Sequence, residues 1–135
     1  MSARPVLFPL AALVVAQAAH SMEEFVGRMW EIHPLARFVS GLFSSDLEQG
    51  FALANIALVA FGAWCIFLPV RRGWRSATGL AWLLVFIELA NGVAHAVWSL
   101  AAGAYRPGLL TAPVLLMFAL LLARALLKAP PASAP

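Results

Sequence analysis

Two short stretches combine residue types that do chemistry with spacings that bring them together. In A-H-S-M-E-E-F, residues 19–25, His20, Glu23 and Glu24 stand at i, i+3 and i+4. A helix of 3.6 residues per turn projects all three from one face, with Gln17 a turn earlier on its edge. In E-L-A-N-G-V-A-H, residues 88–95, Glu88, Asn91 and His95 stand at i, i+3 and i+7. They too share a face, and Gly92 beside them lets another helix come close. Two imidazoles and three carboxylates form a ligand set suited to a divalent Zn, Fe or Mn, as one ion or as two with waters. Two-metal bundle proteins use carboxylates with Glu-x-x-His pairs at this spacing. Here the order is reversed to His-x-x-Glu, and Glu31 and His33 are the further residues that could contribute.

Both stretches lie in apolar runs, where an ionised carboxylate costs several kcal/mol and neighbouring carboxylates also repel. No lysine lies in these runs, so a metal is the most direct compensation. His20, Glu23, Glu88 and His95 are the expected primary ligands. Glu24 is expected as a fifth ligand or a general acid/base, with Glu88 and Asn91 as further reacting or orienting groups. Arg106, in Y-R-P-G-L-L-T at residues 105–111, would counter the carboxylates or meet an anionic head group. The structural alternative is a hydrogen-bonded polar core that ties the helices together, in which Gln17, Asn55, Asn91 and Thr111 would serve.

The elements that position these residues follow from hydropathy. With 63% hydrophobic and 11% charged residues the chain is far from the soluble average. Four segments, at about 6–25, 50–70, 76–104 and 108–127, are long enough to cross a hydrocarbon core of about 30 Å. Backbone groups in lipid need internal partners, so these segments predict an all-α, polytopic four-helix membrane bundle forming one domain over residues 1–128. The basic cluster R-R-G-W-R at 71–75, together with Arg4, Arg124 and Lys128, falls on one side of that bundle; Arg28, Arg37 and Arg106 fall on the other. The positive-inside bias then places both termini in the cytoplasm, of a bacterial inner membrane, and the polar stripes in the extracytoplasmic half.

Between the first two spans, Leu35, Phe38, Val39, Leu42 and Phe43 recur at helical spacing within residues 30–43. They predict a short amphipathic helix lying in the interface or over the bundle mouth, with Pro34 in its first turn. Ser45 and Glu48 have capping-box spacing for the second span. The tail at 129–135 is expected to be disordered. Arg4, the apolar run and A-Q-A at 16–18 also have the pattern of a cleavable secretory signal, weighed against Pro9 and the polar cluster beyond. The single cysteine, Cys65, excludes an internal disulfide and a cysteine-based metal cluster. The scattered arginines give a nucleic-acid surface no support.

The motifs resemble those of the HXXEE-domain family of small membrane proteins: His20-Ser21-Met22-Glu23-Glu24, then N-x-x-x-H from Asn91 to His95, then P-G-x-x-T from Pro107 to Thr111. The likeness runs over nearly all the chain outside the tail. It implies that these residues belong together and, since the family is known to us without an assigned activity, implies no reaction. From the residues themselves the expectation is a metal-dependent membrane enzyme acting on a lipidic or isoprenoid-like substrate, in contact with membrane lipids. The alternatives are a metal-free acid/base isomerase or cyclase, a proton or ion translocator, and an accessory subunit of a larger membrane complex; a homo-oligomer is also open. A translocator needs a polar path to the cytoplasm, and the inner halves of the spans are nearly devoid of polar residues.

Overall fold

The computed structural model describes residues 4–129, so the expected tail lies, but for Ala129, outside the described residues. The chain forms helices α1 (Arg4–Val26), α2 (Met29–Ile32), α3 (Pro34–Phe43), α4 (Leu47–Cys65), α5 (Ala77–Ala102) and α6 (Ala112–Lys128), with no strand among the described residues. One π-helical turn, Ile66–Val70, prolongs α4 and contains Pro69. A proline lacks the N–H that an α-helical ladder needs, which accounts for a widened turn at that point.

The four long helices make an up-down-up-down bundle in which α1 packs between α4 and α6, and α6 packs against α5. Between α4 and α5 contact is sparse. Toward the end that holds the N-terminus and the 71–75 turn the buried core cluster is apolar: Val6, Leu10 and Leu13 of α1 meet Ala81, Leu84 and Val85 of α5 and Leu115, Ala119 and Leu122 of α6. Glycines set the closest approaches, since a Cβ on Gly62 would lie 2.6 Å from Val14 and one on Gly92 2.7 Å from Leu116. In lipid such packing stabilises through dispersion and shape rather than through escape from water.

The outward surface carries Phe8, Val15, Ile56, Phe67, Phe86, Val97 and Leu120, all exposed. Three helical segments, Pro5–Val26, Leu47–Val70 and Ala77–Ala102, are long and apolar enough to cross a membrane. The fourth differs from expectation: residues 108–111 form a turn, and α6 with its 17 residues is about 26 Å long, shorter than the three other long helices.

The amphipathic segment is broken in two. His33 is extended (φ −115°, ψ 119°) between α2 and α3, because the ring of Pro34 crowds an α conformation in the residue before it. Met29, Trp30 and Ala36 pack with Phe51 of α4, which seats α2 and α3 against the first turns of α4. Leu35, Phe38 and Leu42 point outward. The expected cap of the second span also shifts by one residue: Asp46, not Ser45, accepts from Gln49 N–H at 3.2 Å.

His33 caps α3, its Nδ1 accepting from Ala36 N–H at 3.4 Å. Burial lowers the pKa of this imidazole, and His95 adds to the effect. The folded state therefore binds the proton less well than the unfolded chain, so the contribution is complete above the unfolded value of about 6.5 and is lost as pH falls through it. Hydrogen exchange of α3 amides, corrected for intrinsic rates, should show protection falling several-fold between about pH 7.5 and 5.5. An asparagine at position 33, which keeps a capping acceptor without titrating, should remove that dependence.

Candidate metal centre

In the half of the bundle next to the α5–α6 turn, α1 and α5 bring His20, Glu24 and His95 together, all buried. Their ligand atoms lie within 4.8 Å of one another. His95 Nε2 is 2.9 Å from Glu24 Oε1, and His20 Nε2 is 3.6 Å from the same oxygen. The two imidazoles meet edge to face at 4.7 Å. Metal bonds of about 2.0–2.1 Å at a tetrahedral angle put two ligand atoms roughly 3.3 Å apart. The observed separations span that value, so small side-chain shifts would close two imidazoles and a carboxylate on one ion.

Glu23, one residue before Glu24, is placed elsewhere. A step of 100° around the helix turns it toward the loop between α5 and α6. Glu23 Oε1 accepts from Tyr105 Oη at 2.7 Å and Leu110 N–H at 3.0 Å, and Oε2 accepts from Thr111 N–H at 2.8 Å and Thr111 Oγ1 at 2.6 Å. Four donors converge on one carboxylate, which thereby anchors the loop. Burial and the bond to Glu23 push the Tyr105 phenol up to about 12, so it stays a donor throughout the physiological range.

The same bonds fix the tautomer of His20. Thr111 has one hydroxyl proton, and its short bond to Glu23 uses it. His20 Nδ1, 2.7 Å from Thr111 Oγ1, must then be the donor in that contact. A neutral His20 consequently carries its lone pair on Nε2, which is buried without a hydrogen-bond partner and faces Glu24. An imidazole oriented through its second nitrogen is the arrangement that metal-binding histidines use.

The remaining motif residues explain themselves sterically. Gly108 has φ 95° and lies flat against the His95 ring, so a Cβ there would overlap the imidazole. Pro107 packs in the same way on Gly27, just after α1. The H-x-x-E-E, N-x-x-x-H and P-G-x-x-T segments therefore meet in one place, each occupying space that another leaves. The family model for a "Protein of unknown function with HXXEE motif" matches residues 11–123. The chain belongs to this family. Comparisons with curated proteins and with solved structures give no match.

Around the HXXEE residues, Glu88 is buried, its Oε2 without a hydrogen-bond partner. Asn91 neighbours both Glu88 and His20. A separate chain of bonds, Gln17 to Ser21 at 3.0 Å and Ser21 to Asn55 at 2.6 Å, ties α1 to α4. Arg106 does not reach the carboxylates; its guanidinium lies over the Trp98 ring, 5.2 Å from the centroid. Glu31 pairs instead with Arg28 at 2.6 Å, both exposed. His33 meets the Trp98 ring edge to face at 4.7 Å. Trp98 escaped sequence reasoning, although it lies three residues after His95 and so on the edge of the same helical stripe. Tyr105 was legible only as an interfacial aromatic residue.

A cavity of about 340 Å³ adjoins the cluster. Gln17, Glu24, Asn91 and His95 supply polar wall, Phe51, Ala54 and Leu58 of α4 face Ile87, Ala94 and Trp98 of α5, and Leu35, Ala36 and Val39 of α3 also line it.

Proposed function

We propose that the protein is an integral membrane enzyme that holds a divalent metal ion, Zn, Fe or Mn, on His20, Glu24 and His95 and acts on a lipidic, isoprenoid-like substrate. The observation that carries this reading is the unpartnered lone pair of His20 Nε2, fixed in tautomer by Thr111 and directed at a buried carboxylate and a second imidazole. Burying such a set without a compensating cation is costly. Two histidines and one carboxylate are a donor set shared by hydrolytic zinc and by iron(II) sites with open positions.

When bound, the ion would supply Lewis acidity, activating a water or polarising a substrate oxygen. The chain's own residues do the rest. Glu23 and Thr111 hold His20 in orientation, Gly108 leaves room for the His95 ring, and Glu88 takes up and returns a proton beside the site, positioned by Asn91. In this reading the enzyme belongs to a bacterial inner membrane, with both termini and the 71–75 loop cytoplasmic and the site in the extracytoplasmic half. Its surroundings are membrane lipids, and it works as a homo-oligomer or within a larger membrane complex.

A second reading has a specific observation behind it. The 2.9 Å contact of His95 Nε2 with Glu24 Oε1 is also a hydrogen bond through which the pair shares a proton. Such a pair could protonate an alkene with no metal, as an isomerase or cyclase would require. Mass spectrometry of protein purified in detergent without chelators separates the two. The metal reading expects close to one equivalent of Zn, Fe or Mn, reduced at least tenfold in His20→Ala and in His95→Ala. Metal-free wild type would overturn it in favour of the proton-sharing pair.

A further inference from the structure

Resting on the reading of the His/Glu cluster as a reaction centre, we infer that its substrate is an uncharged, single-chain lipid bearing a terminal hydroxyl or carbonyl, admitted sideways from the bilayer through the seam between α4 and α5. Three features of the cavity support this. The first is where it opens. Helices α4 and α5 barely touch, although each packs closely on another helix of the bundle. Leu35, Ala36 and Val39 of α3 line the cavity at its outer end, and α3 presents Phe38 and Leu42 outward. Toward the apolar core the neighbouring void, among Leu13, Val14, Leu84 and the residues around them, has a volume of about 10 Å³. A molecule reaching Glu24 and His95 therefore comes between the helices, out of the hydrocarbon.

The second feature is charge. The ionisable groups lining the cavity are Glu24, His33 and His95, and no lysine or arginine lines it. Arg106, the cation of the adjacent turn, is committed to the face of Trp98. A divalent ion on the cluster would be balanced in formal charge by ionised Glu24 and the buried Glu88 nearby, so a carboxylate or phosphate head group would bring an excess negative charge, with no lysine or arginine lining the cavity to meet it. In a low-dielectric site that excess is strongly unfavourable. A hydroxyl or carbonyl brings no charge and can pair with the amides of Gln17 and Asn91 or the imidazole of His95.

The third feature is size. A volume of about 340 Å³ corresponds to on the order of a dozen non-hydrogen atoms, at the roughly 30 Å³ share of a water molecule. That accommodates the functional end of one chain and leaves the rest in the seam. Two chains with a bulky head do not fit.

Trp98 lines the cavity and reports on it. Intact protein in detergent or nanodiscs is titrated with a brominated long-chain alcohol and with the brominated carboxylate of equal length, following tryptophan quenching. We expect saturable quenching by the alcohol, at least tenfold weaker binding of the carboxylate at a pH where it is ionised, and loss of the saturable component in Trp98→Phe. Ala54→Phe and Ala94→Phe, which narrow the seam, should abolish alcohol binding while leaving metal content unchanged. Equal or tighter binding of the carboxylate overturns the substrate class. Unaltered alcohol binding in both seam variants overturns the route. Quenching that behaves as expected in a protein containing no metal would overturn the metal reading and leave this inference standing; stoichiometric metal with no saturable quenching would do the reverse.

Discussion

Gly108→Ala should produce a chain that keeps its helices but loads no metal and is destabilised by about 2–6 kcal/mol. Two costs combine. The residue sits at φ 95°, outside the conformations open to residues with a side chain, a penalty on the order of 1–3 kcal/mol. The new methyl would also occupy the space of the His95 ring. Overpacking of this kind costs roughly 1–3 kcal/mol, and here the side chain forced to move is a proposed ligand with its Nε2 2.9 Å from Glu24. Because α5 and the 105–111 turn are both anchored, the imidazole has to leave the cluster. Circular dichroism in detergent should show near-normal helix content, thermal unfolding a lower midpoint, and mass spectrometry no bound ion. Retained metal at wild-type stoichiometry would show that the ring can shift without leaving its ligand position.

The second large effect is expected at Glu23, even for the isosteric Glu23→Gln. An ionised carboxylate accepts at both oxygens, and here each oxygen receives one backbone N–H and one hydroxyl. A carboxamide accepts at one side only, so whichever way it is placed, Leu110 N–H or Thr111 N–H is left facing an NH2 group. An orphaned donor costs about 1–3 kcal/mol when fully buried; here the Leu110 bond is exposed and the Thr111 bonds part-buried, so Glu23→Gln should cost about 1–2 kcal/mol and Glu23→Ala, which removes every acceptor, about 2–3 kcal/mol. If the NH2 faces Thr111, the hydroxyl turns to accept, and the bond that orients His20 changes with it. Metal affinity should fall by roughly 10–100-fold, the usual effect of losing an orienting group behind a ligand. Tyr105→Phe, which removes one donor and no acceptor, is the control and should cost about 1 kcal/mol with metal retained. Should Glu23→Gln bind metal as tightly as wild type, the orienting chain from Glu23 through Thr111 to His20 is not what prepares the site.

Much of this architecture is legible in the sequence. Uncharged runs of span length gave the helices, and the i, i+3, i+4 and i+7 spacings gave two polar stripes that do face one another. What the spacing could not give was the division of labour between Glu23 and Glu24. Both share a broad face with His20, but the 100° between them is enough for Glu24 to stay with the imidazoles while Glu23 turns to the 105–111 loop. Periodicity describes one helix, whereas that choice depends on where a neighbouring helix leaves unsatisfied backbone donors. Arg106 shows a related limit: charge complementarity points it toward the carboxylates or an anionic head group, whereas the guanidinium lies over the face of Trp98, a contact that spacing along one helix does not reveal. The break at His33 was readable in principle, since the residue before a proline avoids the α region.

The bonds that secure the polar face of α1 join residues far apart along the chain: 71 separate Glu24 from His95, 88 separate Glu23 from Thr111, and 91 separate His20 from Thr111. During synthesis at about 5–20 residues per second, α1 therefore waits roughly 4 to 18 s for partners that have not yet been made. Throughout that interval the polar face of α1 has the contact between His20 and Glu24 within its own helix, and it is completed only when the last hairpin arrives. A chain that stops before Leu110 would leave Glu23 without three of its four donors and His20 without its bond to Thr111.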